Sequence, residues 1–147
     1  VYDLRLIDSI ISPDGEVLSE STPILASEIE GEGVQEYLAA LRKGMSDVTS
    51  DEGTAGTFFH GEYADVGANM GAKTGTAEKT AIDLENNAWM VAFAPFDDPK
   101  IAVCVYIPHG YSGSYCSITI REVLNYYLEH MDLDGEDIMP PSNSLAY

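Results

Sequence analysis

Residues 87–107 read NAWMVAFAPFDDPKIAVCVYI, and this stretch decides the fold class. Residues 87–94 and 100–107 are two short apolar runs rich in β-branched and aromatic side chains, the composition of strands. Pro95 and Asp97-Asp98-Pro99 mark a turn between them. So short a link cannot carry a parallel crossover, so the two runs are antiparallel neighbours. Residues 69–79 form a third strand-like run, and the three together predict an antiparallel meander. In the last run Ile101, Val103, Val105 and Ile107 share one face, and Ala102, Cys104 and Tyr106 share the other. Both faces are apolar, which predicts a strand covered on both sides. The same alternation puts Trp89, Phe93, Ile101 and Val103 in the core.

Outside the meander the period changes. Val34, Leu38, Leu41, Met45 and Val48 recur at helical spacing, with Tyr37 widening the stripe, and predict an amphipathic helix packed on a core and stopping near Gly53. A second helix is expected from about Thr119, with Ile120, Val123, Leu124, Tyr127, Leu128 and Met131 in register and Thr119 and Glu122 at capping-box spacing. Near the start, Pro13-Asp14-Gly15 separates residues 2–11 from 16–19 and predicts a hairpin. Residues 20–33 read as an acidic connector, and 54–69 and 110–117 as Gly-rich loops. The fold class is therefore α+β: a sheet of three main antiparallel strands, an N-terminal hairpin and two helices packed on the sheet. Residues 1–130 form one domain in this reading. Residues 131–147 form an acidic, Pro/Ser/Asn-rich tail expected to be partly disordered.

The 147 residues carry 7 Lys plus Arg against 25 Asp plus Glu, a formal charge of −18. That balance excludes nucleic acid, whose phosphates need a basic patch, and disfavours an anionic membrane surface. At 45% hydrophobic residues the composition is that of a folded globular chain. No apolar run approaches the roughly 20 residues of a bilayer span. The chain opens on Val1 rather than Met, which raises the expectation of a piece of something longer. Cys104 and Cys116 lack metal-ligand spacing and are expected to be a buried strand thiol and a loop thiol, with a bridge left open.

Lys73-Thr74-Gly75-Thr76 is the short sequence with catalytic precedent. Strand alternation puts Thr74 and Thr76 on one face with hydroxyls about 7 Å apart, a spacing suited to gripping a carboxylate. Gly75 lets another backbone or a ligand approach closely. Lys73 brings positive charge to an acidic chain. The context sharpens the motif. Gly53-Thr54-Ala55-Gly56 precedes it, Ala77-Glu78 extends it, and Asn87-Ala88-Trp89-Met90-Val91-Ala92-Phe93-Ala94-Pro95 answers it, followed by Asp98-Pro99-Lys100-Ile101-Ala102-Val103. This succession resembles the C-terminal portion of the transpeptidase domain of penicillin-binding proteins, closest to the class B, high-molecular-weight type. Class A β-lactamases share Lys-Thr-Gly but usually not the Ala-Trp-x-x-x-Phe-Ala-Pro strand.

The superfamily uses Ser-x-x-Lys, a Ser-x-Asn-type triplet and Lys-Thr-Gly, and this chain contains only the third. The resemblance implies that Lys73 sets the electrostatics of proton transfer. It also implies that Thr74, Gly75 and Thr76 receive the terminal carboxylate of a D-Ala-D-Ala stem peptide or a β-lactam, and that the Thr76 N–H is half of an oxyanion hole. Lys73 and Thr76 are thus the candidate catalytic residues. The parent would be an extracytoplasmic D,D-transpeptidase, tethered by an N-terminal membrane segment, and the chain alone would be inert. The rest of the transpeptidase domain is the expected partner, with homodimerisation of this piece through exposed apolar surface. No cofactor or metal is expected. Two other readings share the motif: a β-lactam sensor domain, and a non-enzymatic binding module with a degenerate penicillin-binding fold. His60, His109, His130, Ser112 and Ser114 read as structural, and the acidic cluster at Asp132, Asp134, Glu136 and Asp137 as a solvated tail.

Overall fold

The computed structural model describes residues 1–78 and 84–130. Met131, the expected tail and its acidic cluster lie outside the described residues. The chain divides into two compact units, Val1–Leu38 and Ala39–Tyr147. In the first, β1 (Ser9–Ile11) pairs antiparallel with β2 (Val17–Glu20). The turn between them is closed by Gly15 N–H to Ser12 O (3.0 Å) and Ser12 N–H to Glu16 O (2.8 Å), with Gly15 at φ 86°. The hairpin signature of Pro13-Asp14-Gly15 is met, with β1 shorter than the 2–11 run, β2 shifted by one residue from 16–19, and every residue of both strands exposed.

α1 (Val34–Ser46) takes the helical period of its apolar stripe but buries none of its residues. Tyr37 and Leu41 stay exposed, and only near the end of the stripe does Val48 pack against the core. The expected packing of this helix on a core is therefore corrected. A stripe records which face a helix can bury, not whether a layer lies against it. The last turns of α1 are anchored by Arg42. Its Nη2 donates to the Phe96 carbonyl and, at 3.3 Å, to that of Asp97, and its guanidinium lies over the Phe93 and Phe96 rings.

The second unit is built on the expected meander. β3 (Gly71–Ala77), β4 (Asn87–Ala94) and β5 (Ile101–Ile107) are antiparallel in the order β3-β4-β5. One face carries the core: Ala72, Ala88, Met90, Ala92 and Ala94 are buried, with Ile101, Val103, Val105 and Ile107 packed beside them. α3 (Ser117–His130) lays Ile120 and Leu124 on this face. The alanines of β4 keep that face flat enough for a helix backbone to approach, and Met90 fills the gap that remains. Ser117 Oγ donates to Met90 Sδ at 3.2 Å.

The opposite face is open. Trp89, Val91 and Tyr106 are 42%, 44% and 44% exposed, and the Trp89 ring packs tilted against that of Tyr106 across the strands, centroids 4.1 Å apart. Two expectations are corrected here: Trp89 is not a core residue, and β5 is covered on one face rather than both. Alternation identifies two faces, but not which one carries the small residues that a helix needs. The thiols also exchange places, with Cys104 exposed on β5 and Cys116 buried, and neither bridged. Burial pushes the Cys116 thiol above its ordinary range.

The Gly-rich stretches are more ordered than loops. Residues 54–69 contain 3₁₀ turns at Gly56–Phe58 and Gly61–Tyr63 and a short helix, α2 (Ala64–Ala68). Elements of three to five residues are too short to impose a period. Another 3₁₀ turn, Gly113–Cys116, runs straight into α3. Thr119 is therefore inside the helix and caps nothing, and the expected capping box does not form. The architecture is α+β, with a three-stranded antiparallel sheet, a two-stranded hairpin and three helices rather than two. No helix among the described residues is long and apolar enough to cross a membrane.

Candidate functional site

β3 is an edge strand, and its register with β4 sets the faces of the Lys-Thr-Gly-Thr motif. Thr74 pairs with Met90 and Thr76 with Ala88, so both threonines share the core-side face. Lys73 pairs with Val91 and Gly75 with Trp89, on the open face. Lys73 is exposed, and its ammonium folds along the strand to donate to the Thr74 carbonyl.

Each threonine hydroxyl meets one loop. The backbone N–H of Gly113 donates to Thr76 Oγ1 at 3.0 Å. A hydroxyl owns one proton and two lone pairs. With one lone pair engaged by an N–H, the Thr76 proton stays free to be donated outward. Thr74 Oγ1 lies 3.1 Å from Thr54 Oγ1. Thr76 is exposed and Thr74 half-buried, so a ligand can reach both.

The Gly113 contact needs a glycine. A Cβ there would run into the Gly75 carbonyl oxygen and lie 2.8 Å from both Gly75 N and Trp89 O. The preceding loop is bent by two residues in left-handed conformation, His109 (φ 57°) and Tyr111 (φ 68°). Their N–H groups donate to Asn87 Oδ1 (3.2 Å) and Asn86 O (3.0 Å). Backbone strain of this kind persists where surrounding bonds hold it. Here they tie the loop to the start of β4.

Thr54 is held as firmly. Gly53 N–H donates to Ser50 O (2.8 Å) and Ala55 N–H to Val48 O (2.9 Å), and Ala55 and Gly56 are buried while Thr54 stays exposed. Farther along, Arg121 of α3 donates to Phe58 O at 3.1 Å and lies over the Tyr63 ring. The Tyr63 hydroxyl donates to Glu122 at 2.6 Å, and that bond to a carboxylate raises the Tyr63 pKa.

The histidine side chains have other partners. His60 is 3.7 Å from Asp51, His109 Nδ1 is 3.3 Å from Glu85 O, and His130 stacks on Tyr126. Ser112 and Ser114 pair with each other at 3.0 Å. No group of three His, Cys, Asp or Glu among the described residues could hold a metal ion. Thr54, Gly113 and Asn87 are the residues that sequence reading did not assign to the site. Gly53-Thr54-Ala55-Gly56 was visible as a motif, but its contact with Thr74 crosses 20 residues, and no local signal marks a backbone N–H as a ligand for a hydroxyl.

The family model of the penicillin binding protein transpeptidase domain matches residues 30–125. The chain belongs to this family. Among transpeptidases, it is 29% identical over 120 residues to the peptidoglycan D,D-transpeptidase MrdA of Haemophilus influenzae, covering 72% of this chain and 18% of that protein. It is 33% identical over 108 residues to the peptidoglycan D,D-transpeptidase PbpA of Mycolicibacterium smegmatis, covering 71% and 20%. The chain thus spans about a fifth of the length of these curated relatives. In structure it is similar to penicillin-binding protein 2 of Helicobacter pylori in its complex with MreC, with TM-score 0.60 and 26% identity over 76% of this chain and 20% of that one. The D,D-transpeptidase domain of a peptidoglycan glycosyltransferase from Eggerthella lenta gives TM-score 0.56 and 27% identity, covering 83% and 26%. These likenesses bear out the resemblance read from the motif, and the α+β fold with it.

Proposed function

We propose that this segment forms the carboxylate-binding wall of a serine D,D-transpeptidase. In this reading Thr74 and Thr76 receive the terminal carboxylate of a D-Ala-D-Ala stem peptide or a β-lactam. Gly75 lets it lie close to the strand, and Lys73 supplies the positive field for proton transfer. The Thr76 N–H is one oxyanion donor. The observation that carries the reading is the Gly113 N–H to Thr76 Oγ1 bond, because it leaves the Thr76 hydroxyl a donor, the role that an anion requires.

The nucleophilic serine and its lysine come from a Ser-x-x-Lys outside this chain, so the 147 residues alone form no acyl-enzyme. The rest of the domain covers the open face of the sheet at Trp89, Val91 and Tyr106, and where it is missing the same face pairs with a second copy. Residues 1–130 act as one part of that domain, followed by an acidic tail. Peptidoglycan as substrate places the working protein outside the cytoplasm, on a membrane-anchored parent. Its relative in Helicobacter pylori was solved in complex with MreC.

A carboxylate test separates this reading from a binding module of other specificity. In the full-length protein, benzylpenicillin should acylate about 10–100 times faster than its methyl ester, since a hydrogen bond to a charged group contributes about 1.5–3 kcal/mol. Thr76→Val should shrink that ratio toward one. An unchanged ratio in the variant removes Thr76 from the carboxylate site.

A further inference from the structure

We propose that Thr54 is a positioning residue that makes the Thr74 hydroxyl a donor toward the bound carboxylate. The inference rests on the carboxylate-binding reading above. Thr54 Oγ1 and Thr74 Oγ1 are 3.1 Å apart, and either can be the donor. The two hydroxyls own two protons between them, and their mutual bond consumes one. When no anion is bound, the two orientations differ little. A carboxylate accepts only, so its arrival selects the orientation in which Thr54 donates to Thr74 and Thr74 donates to the ligand. In that chain each bond polarises the next. Thr76 has its counterpart in the Gly113 N–H, which can only donate. Both hydroxyls are therefore backed by a donor on the side away from the ligand: a fixed one behind Thr76 and a switchable one behind Thr74.

The surroundings suit such a role. Gly53 and Ala55 are bonded back to Ser50 and Val48. Ala55 and Gly56 on the C-terminal side of Thr54 are buried, and Thr54 stays exposed beside β3. A Cβ on Gly53 would strike the carbonyl oxygens of Asp47 and Val48, so this segment has no room to drift from the strand on that side. The Thr54 methyl group adds nothing to this scheme, so serine should serve as well as threonine.

The test is acylation of the full-length protein by benzylpenicillin and by its methyl ester, in Thr54→Val, Thr54→Ser, Thr74→Val and the Thr54→Val/Thr74→Val double variant. Thr54→Val should slow acylation by benzylpenicillin about fivefold to tenfold, the effect of one backing hydrogen bond, and slow the ester, whose uncharged carbonyl is a weaker acceptor, by no more than about twofold. Thr54→Ser should recover the wild-type rate within about twofold, and the double variant should be no slower than Thr74→Val, because the two residues act as one unit. Equal slowing of drug and ester, or failure of serine to rescue, would show a merely structural role and overturn the proposal. If Thr54→Val has no effect while Thr74→Val slows the drug selectively, the proposal fails and the carboxylate reading stands. If Thr74→Val has no selective effect, the proposal fails, and the carboxylate reading then rests on the outcome of Thr76→Val.

Discussion

Lys73→Ala in the full-length protein is expected to slow acylation by penicillin about a hundredfold to a thousandfold, the range for losing one preorganised electrostatic group in an active site. Folding should be nearly untouched. Lys73 is exposed on an edge strand, and among the described residues its ammonium donates to the carbonyl of the next residue. Removing an exposed charge with no buried partner typically changes stability by less than about 0.5 kcal/mol. The split between a large kinetic effect and a small thermal one is what distinguishes a site lysine from a solvated strand lysine. Stopped-flow acylation and a thermal melt of the same preparation measure both. A rate within threefold of wild type would remove Lys73 from the chemistry, and a large loss of stability would reassign it to the fold.

The second large effect is on stability, and it uses one substitution at two positions. Gly113→Ala places a methyl group against the Gly75 carbonyl and within 2.8 Å of Trp89 O, both backbone atoms that cannot rotate away. Such overpacking costs about 1–3 kcal/mol, and it also pulls the Gly113 N–H away from Thr76. Gly44→Ala is the control. Gly44 lies inside α1 with nothing within 4 Å of a new Cβ, so the same change should stabilise the chain by about 0.5–1 kcal/mol through helix propensity. Opposite signs in urea unfolding of the two variants are the expected result. Equal signs would show that the loop around Gly113 yields more easily than its packing implies.

What the sequence could reveal followed from how local each feature is. The three strands were legible because period-2 alternation and short turns need only neighbours along the chain, and β4 runs over residues 87–94 as expected. Which face of β4 would be buried was not legible. Hydrophobic size points to Trp89 and Phe93, whereas α3 needs the flat row of Ala88, Ala92 and Ala94. The stripe on α1 was read correctly as helical and wrongly as buried, since a stripe carries no information about what lies opposite. Of the candidate site, the Lys-Thr-Gly-Thr strand was visible and its two backing groups were not. Thr54 and Gly113 reach β3 from 20 and 37 residues away along the chain, through contacts that only the folded chain creates.

The central claim is that this chain holds the carboxylate-binding wall of a serine transpeptidase but not its nucleophile. Labelling with a fluorescent penicillin tests it most directly, on the 147-residue chain and on the full-length protein side by side, read by denaturing gel and intact mass. The full-length protein should carry one covalent drug per molecule, and the 147-residue chain none at any concentration. A covalent adduct on the 147-residue chain, mapped to any of its own residues, would contradict the account.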